Sequence, residues 1–239
     1  MKIISLWSGP RNVSTALMYS FAQRIDMTVV DEPLYAHYLQ NSDADHIGRD
    51  EVIASMANDG DQVMREILSI KTEGHIFLKN MAHHWIGLDD EYLLRMINLF
   101  LIRDPKEMLP SLNKQLPQPI LRDTALKMQV DIYNYLNERG KAPLVINSKD
   151  LLLDPEGMLQ MVCDRLSIPC DSHMLGWKAG PRPEDGIWAK YWYHSVHKSE
   201  GFSSYQKKED PFPAHLQPLL EESTPYYEFL NNKALRVKK

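Results

Sequence analysis

Ile3-Ile4-Ser5-Leu6-Trp7-Ser8-Gly9-Pro10-Arg11-Asn12-Val13-Ser14-Thr15 opens as a short β-rich run, breaks at a Gly-Pro turn and continues into Val13, Ala16, Leu17 and Phe21 at helical spacing. The reading is strand, tight turn, helix. A turn of this kind points successive backbone N–H groups and a helix amino terminus at one spot, which suits a phosphate oxygen. Gly9 permits the turn, Arg11 adds a charge, and Ser14 and Thr15 add hydroxyls.

Outward from that unit, short β-rich runs alternate with helical patterns, the signature of βαβ units and a mainly parallel sheet. The expected strands are Ile3–Trp7, Met27–Val30, His75–Lys79, Leu99–Ile102 and Leu144–Asn147. Four end in polar or charged residues, placing chemistry at their carboxyl ends, where open α/β sheets bind ligands. Helices are expected over Gln62 to Ile70, from Asp89 or Asp90 to about Met96, and along the stripe Leu121, Ala125, Met128, Ile132 that ends at Gly140; another opens at Asp154-Pro155. From about Asp171 to residue 212, Gly, Pro, Trp and Tyr replace the periodicities, and a long irregular segment over the sheet edge is expected. The aromatics there, Trp177, Trp188, Tyr191, Trp192 and Tyr193, read as packing rather than as a pocket. The basic stretch Lys233 to Lys239 is expected to be frayed or solvated.

With 239 residues, the chain reads as one α/β domain over 1–239. Lys plus Arg number 27 against 32 Asp plus Glu, a net charge of −5, so no overall positive field recruits nucleic acid or an anionic membrane. Any anion must meet a local site. MKIISLW runs straight into the turn, without the longer apolar region and cleavage site of a signal peptide, and no run of about 18 apolar residues suggests a span. Cys163 and Cys170 are too few for a disulfide scaffold or a cysteine zinc site, so free thiols and a cytoplasmic setting are expected.

The first loop lacks the second glycine and the lysine of G-x-x-x-x-G-K-[ST], which weakens ordinary ATP binding. It resembles instead the 5′-phosphosulfate loop of the sulfotransferase family, with Arg11 where many members carry Lys. Leu99-Phe-Leu-Ile-Arg103-Asp-Pro-Lys-Glu-Met-Leu-Pro-Ser111 is similar to that family's 3′-phosphate motif, and Arg103 and Ser111 can converge on one phosphate. Pro110 fits if the following helix starts near Glu107. Lys178-Ala-Gly180-Pro-Arg182, followed by Gly186-Ile-Trp-Ala-Lys190, resembles the family's carboxyl-terminal segment that closes over the nucleotide, with a departure in spacing.

The resemblance, nearest to bacterial sulfotransferase-like proteins, implies a three-layer α/β/α domain of the P-loop NTPase-like type. It also implies sulfuryl transfer from 3′-phosphoadenosine-5′-phosphosulfate to a hydroxyl or amine of a small acceptor, without a metal. The nucleotide would be held by Gly9, Pro10, Arg11, Asn12, Val13, Ser14, Thr15, Arg103, Ser111, Lys178, Gly180, Arg182 and Lys190. Sulfuryl transfer needs a clamp and a base, and by analogy with phosphoryl transfer positioning and electrostatics dominate. Lys79 matches the family's strand lysine. The residue two beyond it is Met81, and histidines follow only at His83 and His84. Glu32, before Pro33, is the candidate base by position, with Pro33 expected to hold it extended; His83 and His84 remain alternatives. Met27–Val30 with Asp31-Glu32 also imitates the magnesium-binding strand of an ATP-dependent kinase, and a non-catalytic nucleotide-binding module is the other rival. Asp31, Glu32, His37, His83 and His84 show no metal-ligand spacing.

Overall fold

All five apolar runs become strands: β1 (Ile3–Ser8), β2 (Met27–Asp31), β3 (His75–Met81), β4 (Ile97–Ile102) and β5 (Leu144–Asn147). The structure, a computed structural model, describes residues 1–207 and 210–237. The strands pair in the order β2-β3-β1-β4-β5, every pair parallel. Parallel neighbours need crossovers. The chain makes them through α1 (Ser14–Phe21), α2 (Tyr35–Gln40), α3 (Arg49–Ser55), α4 (Gly60–Ser69), α5 (Pro105–Leu112), α6 (Leu121–Thr124) and α7 (Leu126–Glu138). After β5 come α8 (Ser148–Leu153), α9 (Pro155–Leu166), the short α10 (Ala189–Trp192) and α11 (Gln217–Asn231).

Alternate strand residues face opposite sides. Trp7, Leu78, Phe100 and Val145 join the core formed with α4, α7 and α11, whereas Leu6, Phe77, Leu101 and Ile146 join that formed with α1 and α9. The result is the expected three-layer α/β/α architecture. From β1 the chain builds β2 and β3 on one side, then β4 and β5 on the other. The crevice beyond the carboxyl ends of β1 and β4 is therefore the switch point, where such sheets bind ligands.

Several local expectations are corrected. The helix after β4 begins at Pro105, not near Glu107, because the Asp104 side chain accepts from Lys106 N at 2.8 Å and caps it. Pro110 then lies inside α5, where its missing N–H forgoes only the bond to the carbonyl of exposed Lys106. The stripe from Leu121 is two helices rather than one, broken at Ala125 with φ +63°. That break carries the chain across the first loop: a Cβ built on Gly9 would stand 2.6 Å from the Thr124 carbonyl oxygen. Gly9 thus serves a close backbone approach. Gly9→Ala is expected to destabilise by about 1–3 kcal/mol through overpacking against backbone, lowering the denaturation midpoint; a midpoint equal to the parent's would contradict this packing.

Among the described residues, the irregular stretch holds short helical turns at Ser172–Leu175, Ala189–Trp192 and Val196–Lys198. It lies across α1 and the carboxyl end of β2, with Trp177 edge-on to Tyr19 at 6.0 Å and Tyr193 reaching Asp31; Lys208 and Glu209 lie outside the described residues. The basic end is docked, not frayed, as far as Arg236: Ala234 forms a single bridge to Val145 at the sheet edge, Leu235 N donates to Val145 O at 2.8 Å and Arg236 pairs with Asp150. Lys238 and Lys239 lie outside the described residues. Among the described residues no helix is long and apolar enough to cross a membrane.

Candidate active site

The first loop is held under strain. Arg11 (φ +57°) and Val13 (φ +63°) both sit in the left-handed region, which a β-branched residue rarely enters. Three contacts fix them. Asn12 Nδ2 donates to Leu101 O at 2.8 Å, Arg103 Nη1 donates to Arg11 O at 2.6 Å, and Arg11 Nε donates to Ser111 Oγ at 3.0 Å. The loop after β1 and the strand-to-helix passage after β4 are therefore one unit. Val13 caps α1 by backbone only, so no side chain occupies the amino-terminal N–H groups of that helix. Burial, and next the Arg103 guanidinium, lower the Arg11 pKa. Two neighbouring guanidinium groups above open amides make a place for an anion.

Pro10 to Thr15, Arg103 and Ser111 line a cavity of about 610 Å³. Gly9 lies behind it, under Thr124. The later glycine-basic segment does not bring its cations there: Arg182 pairs with Glu184 and lies over the Tyr19 ring, Lys190 pairs with Glu51 at 2.6 Å, Lys178 is exposed, and Gly180 N donates to His197 O. The parts of that segment lining the cavity are aromatic or small, among them Trp188, Tyr191, Trp192, Tyr193 and Ser199. Four of the five late aromatics thus face the site rather than only the core, and Trp177 alone keeps to packing.

Glu32, Lys79, His83 and His84 stand in the same cavity. Lys79 lies opposite Asp31 in the β2–β3 register, two residues before the end of β3. Its ammonium is buried and meets Asp31 Oδ1 at 3.1 Å, Glu32 Oε1, and Tyr193 Oη at 2.7 Å. An ammonium has three donors, and all three are taken. In this conformation none is left to clamp a transferring group. Burial alone would drive the proton from Lys79; Asp31 and Glu32 outweigh it and hold its pKa above the ordinary lysine value.

Glu32 is not extended. Its φ is +41°, because its N–H continues the sheet to Lys79 O at 2.8 Å and its carbonyl already accepts from Tyr35 N to start the next turn. The strain aims a buried carboxylate at Lys79 and the cavity. Burial raises the Glu32 pKa, Lys79 opposes the rise, and Asp31 adds to it. A carboxyl raised towards neutrality is the better base.

His83 and His84 form a turn after β3, packed on the rings of Tyr38 and Tyr35, and neither Nδ1 has a partner among the described residues. Burial, with His46 the next cause, lowers the His83 pKa to about 3, and His84 is also pushed well below its usual value. Burial favours the neutral form of both, because a proton on either would place a poorly solvated cation in the core. A depressed folded pKa means stability is full above the unfolded value near 6.5 and is lost as pH falls towards about 3. His83→Phe is expected to flatten that acid limb by up to about 1.4 kcal/mol per pH unit within the window, as read by denaturant unfolding at stepped pH. An unchanged slope would mean that His83 charges freely in the folded protein.

Asp31, Tyr193 and His46 were not singled out as site residues by their sequence context, although Asp31 adjoins Glu32; Tyr193 is 114 residues from Lys79, and only the fold joins them. Among the described residues no group of three or more His, Cys, Asp or Glu side chains forms a candidate metal site.

A family model described as a sulfotransferase domain matches residues 1–234. Two Arabidopsis thaliana proteins, named Branched-chain-amino-acid aminotransferase-like protein 1 and 2, are 43% and 41% identical over 97% and 96% of this chain. The chain spans only 42% and 41% of those relatives. The sulfotransferase domain from the curacin biosynthetic pathway superposes with a TM-score of 0.54 at 16% identity, covering 92% of this chain and 96% of that one. A sulfotransferase from Alicyclobacillus acidocaldarius gives 0.53 at 12% identity, covering 97% and 96%. At those identities the likeness is one of fold.

Proposed function

The chain belongs to the sulfotransferase domain family, and from that premise we propose that it moves the sulfuryl group of 3′-phosphoadenosine-5′-phosphosulfate to a hydroxyl or amine of a small acceptor. The observation that carries this reading is a single cavity lined by both the Arg11–Arg103–Ser111 set and the Glu32–Lys79 pair. Anionic phosphates suit the first, where two guanidinium groups meet beside the uncapped N–H groups of a helix start, Arg103 also lying 3.5 Å from Glu107 Oε2. A proton acceptor suits the second. Glu32 would receive the acceptor's proton as its oxygen or nitrogen bonds to sulfur and the sulfur–oxygen bond to the 5′-phosphate breaks, releasing the bisphosphate nucleotide. Holding the two reactants in line supplies much of the rate in such transfers.

The kinase alternative needs a free carboxylate after β2 to hold magnesium. Asp31 is instead committed on both oxygens, to Lys79, Tyr193 and Gly186 N. The aminotransferase-like names belong to proteins more than twice the length of this chain.

Arg103 provides the test. Arg103→Ala is expected to weaken 3′-phosphoadenosine-5′-phosphate by about 1.5–3 kcal/mol, ten- to a hundredfold, because a charged hydrogen bond goes unmade, while 5′-AMP, which feels only the lost bond from Arg103 to Arg11 O, loses less. Calorimetry reads both. Equal losses would remove Arg103 from the 3′-phosphate and with it the main support for this donor.

A further inference from the structure

Among the described residues of the irregular segment, Tyr193 brings its side chain into the buried ion cluster, which Gly186 reaches only by its backbone N–H. Its hydroxyl is fully engaged: it accepts from Lys79 Nζ at 2.7 Å and from Trp188 Nε1 at 3.2 Å, and it donates to Asp31, whose oxygens lie at 2.9 and 2.8 Å. We infer that Tyr193 is a positioning residue, whose hydroxyl pins Lys79 between Asp31 and Glu32 and so makes the placement of the candidate base depend on docking of the irregular segment.

Lys79 has two carboxylates to choose between. Asp31 already receives Gly186 N at 3.2 Å and the tyrosine proton, so part of its hydrogen-bonding demand is met without the lysine. That leaves Lys79 free to hold Glu32 Oε1, while Glu32 Oε2 stays 3.9 Å from His84 Nδ1. Without the hydroxyl, Asp31 loses a donor in a buried site and draws the ammonium towards itself, and Glu32 loses its cation. The same segment is anchored elsewhere by a second buried carboxylate: Asp185 accepts from Tyr19 Oη at 2.6 Å and Arg182 N at 2.9 Å, and it meets His197 Nε2 at 2.9 Å. Segment docking and base placement therefore share one hydrogen-bond network. The ionisable groups around Glu32 are Asp31 beside it, Lys79 from β3, His84 from the following turn, Tyr35 from α2 and Tyr193. Burial and the two carboxylates keep the Tyr193 hydroxyl protonated, so it is always available as the donor to Asp31.

This inference rests on Glu32 as the base, but its test reads ionisation directly and needs neither donor nor acceptor. Carbon-13 NMR of the glutamate side-chain carboxyls, with the Glu32 signal identified by its absence in Glu32→Gln, is followed against pH in the parent and in Tyr193→Phe. The phenylalanine keeps the ring over Lys79, 5.0 Å from Nζ to the centroid, so the fold is expected to hold. The Glu32 midpoint is expected to move to higher pH, because its carboxylate has lost Lys79, with affinity for 3′-phosphoadenosine-5′-phosphate within about twofold of the parent. In turnover, once an acceptor is found, kcat falls by about ten- to a hundredfold, the effect of a misplaced group. An unchanged midpoint would overturn the inference. A second reading uses the parent alone: the Lys79 ammonium protons should exchange with water far more slowly than those of surface lysines, and exchange at the surface rate would overturn it as well. Loss of nucleotide affinity in the parent would instead defeat the sulfuryl-transfer reading and leave this result standing.

Discussion

Lys79→Met is expected to lose about 3–5 kcal/mol of folding stability at pH 7, the cost of leaving buried carboxylates without their cation. The side chains of Lys79, Asp31 and Glu32 are 2%, 1% and 9% exposed, so water from the cavity replaces little of what the ammonium supplies. Asp31 keeps two donors, Tyr193 and Gly186 N, whereas Glu32 keeps none. The charge left stranded is therefore chiefly that of Glu32, and adding Glu32→Gln to Lys79→Met should restore part of the loss. Urea unfolding of the parent, the single variants and the double variant measures the coupling. The sign in pH is fixed by the same cluster. Lys79 has a raised folded pKa, so its stabilisation is full below the unfolded value near 10.4 and fades as pH rises through the folded one. A Lys79→Met protein within about 1 kcal/mol of the parent would show that the cluster is not the closed network described.

Glu32→Gln is expected to lower turnover by about 10²–10⁴, the usual contribution of a positioned base, with nucleotide affinity nearly intact. Glutamine keeps the size and can still meet Lys79, so what is removed is the proton acceptor. The parent's rate should also fall on the acid side as Glu32 takes up its proton, at a pH above that of an ordinary glutamate because burial raises it. His83→Asn is the matched control. His83 is already neutral, with a pKa near 3, so it is a poor base at pH 7 and its loss should cost less. An inactive His83→Asn beside an active Glu32→Gln, in single turnover with an acceptor in hand, would reverse the roles.

The strands, and the strand–turn–helix units after β1 and β4, were legible because local pattern decides them. Short continuous apolar runs such as Leu99 to Ile102, too short for a helix and bounded by polar residues, read as strands buried on both faces, and a Gly-Pro-Arg turn between strand and helix can be read without knowing what packs on it. The contact of Arg11 with Ser111 was not legible in that way. The two motifs read as separate 5′ and 3′ sites, yet their side chains share a hydrogen bond across 100 residues. Glu32 shows the limit of a local rule: Pro33 favours an extended predecessor, but the bond to Lys79 O and the turn into α2 override it. The long α11 escaped because Pro225 interrupts its pattern; in the fold, the Ser223 and Thr224 hydroxyls donate to the carbonyls of Leu219 and Leu220 in the turn before it. The aromatic wall of the cavity escaped because Trp188, Tyr191, Trp192 and Tyr193 carry no periodicity, and only tertiary docking turns them towards the site.

Calorimetric titration of the parent protein with 3′-phosphoadenosine-5′-phosphate, ADP and ATP with magnesium tests the central claim, a cavity built for a 3′-phosphorylated nucleotide. The bisphosphate is expected to bind at least about tenfold more tightly than ADP, the difference made by one charged contact to the 3′-phosphate, and magnesium is expected to add nothing. Binding of ATP that requires magnesium, with no preference for the 3′-phosphate, would contradict it.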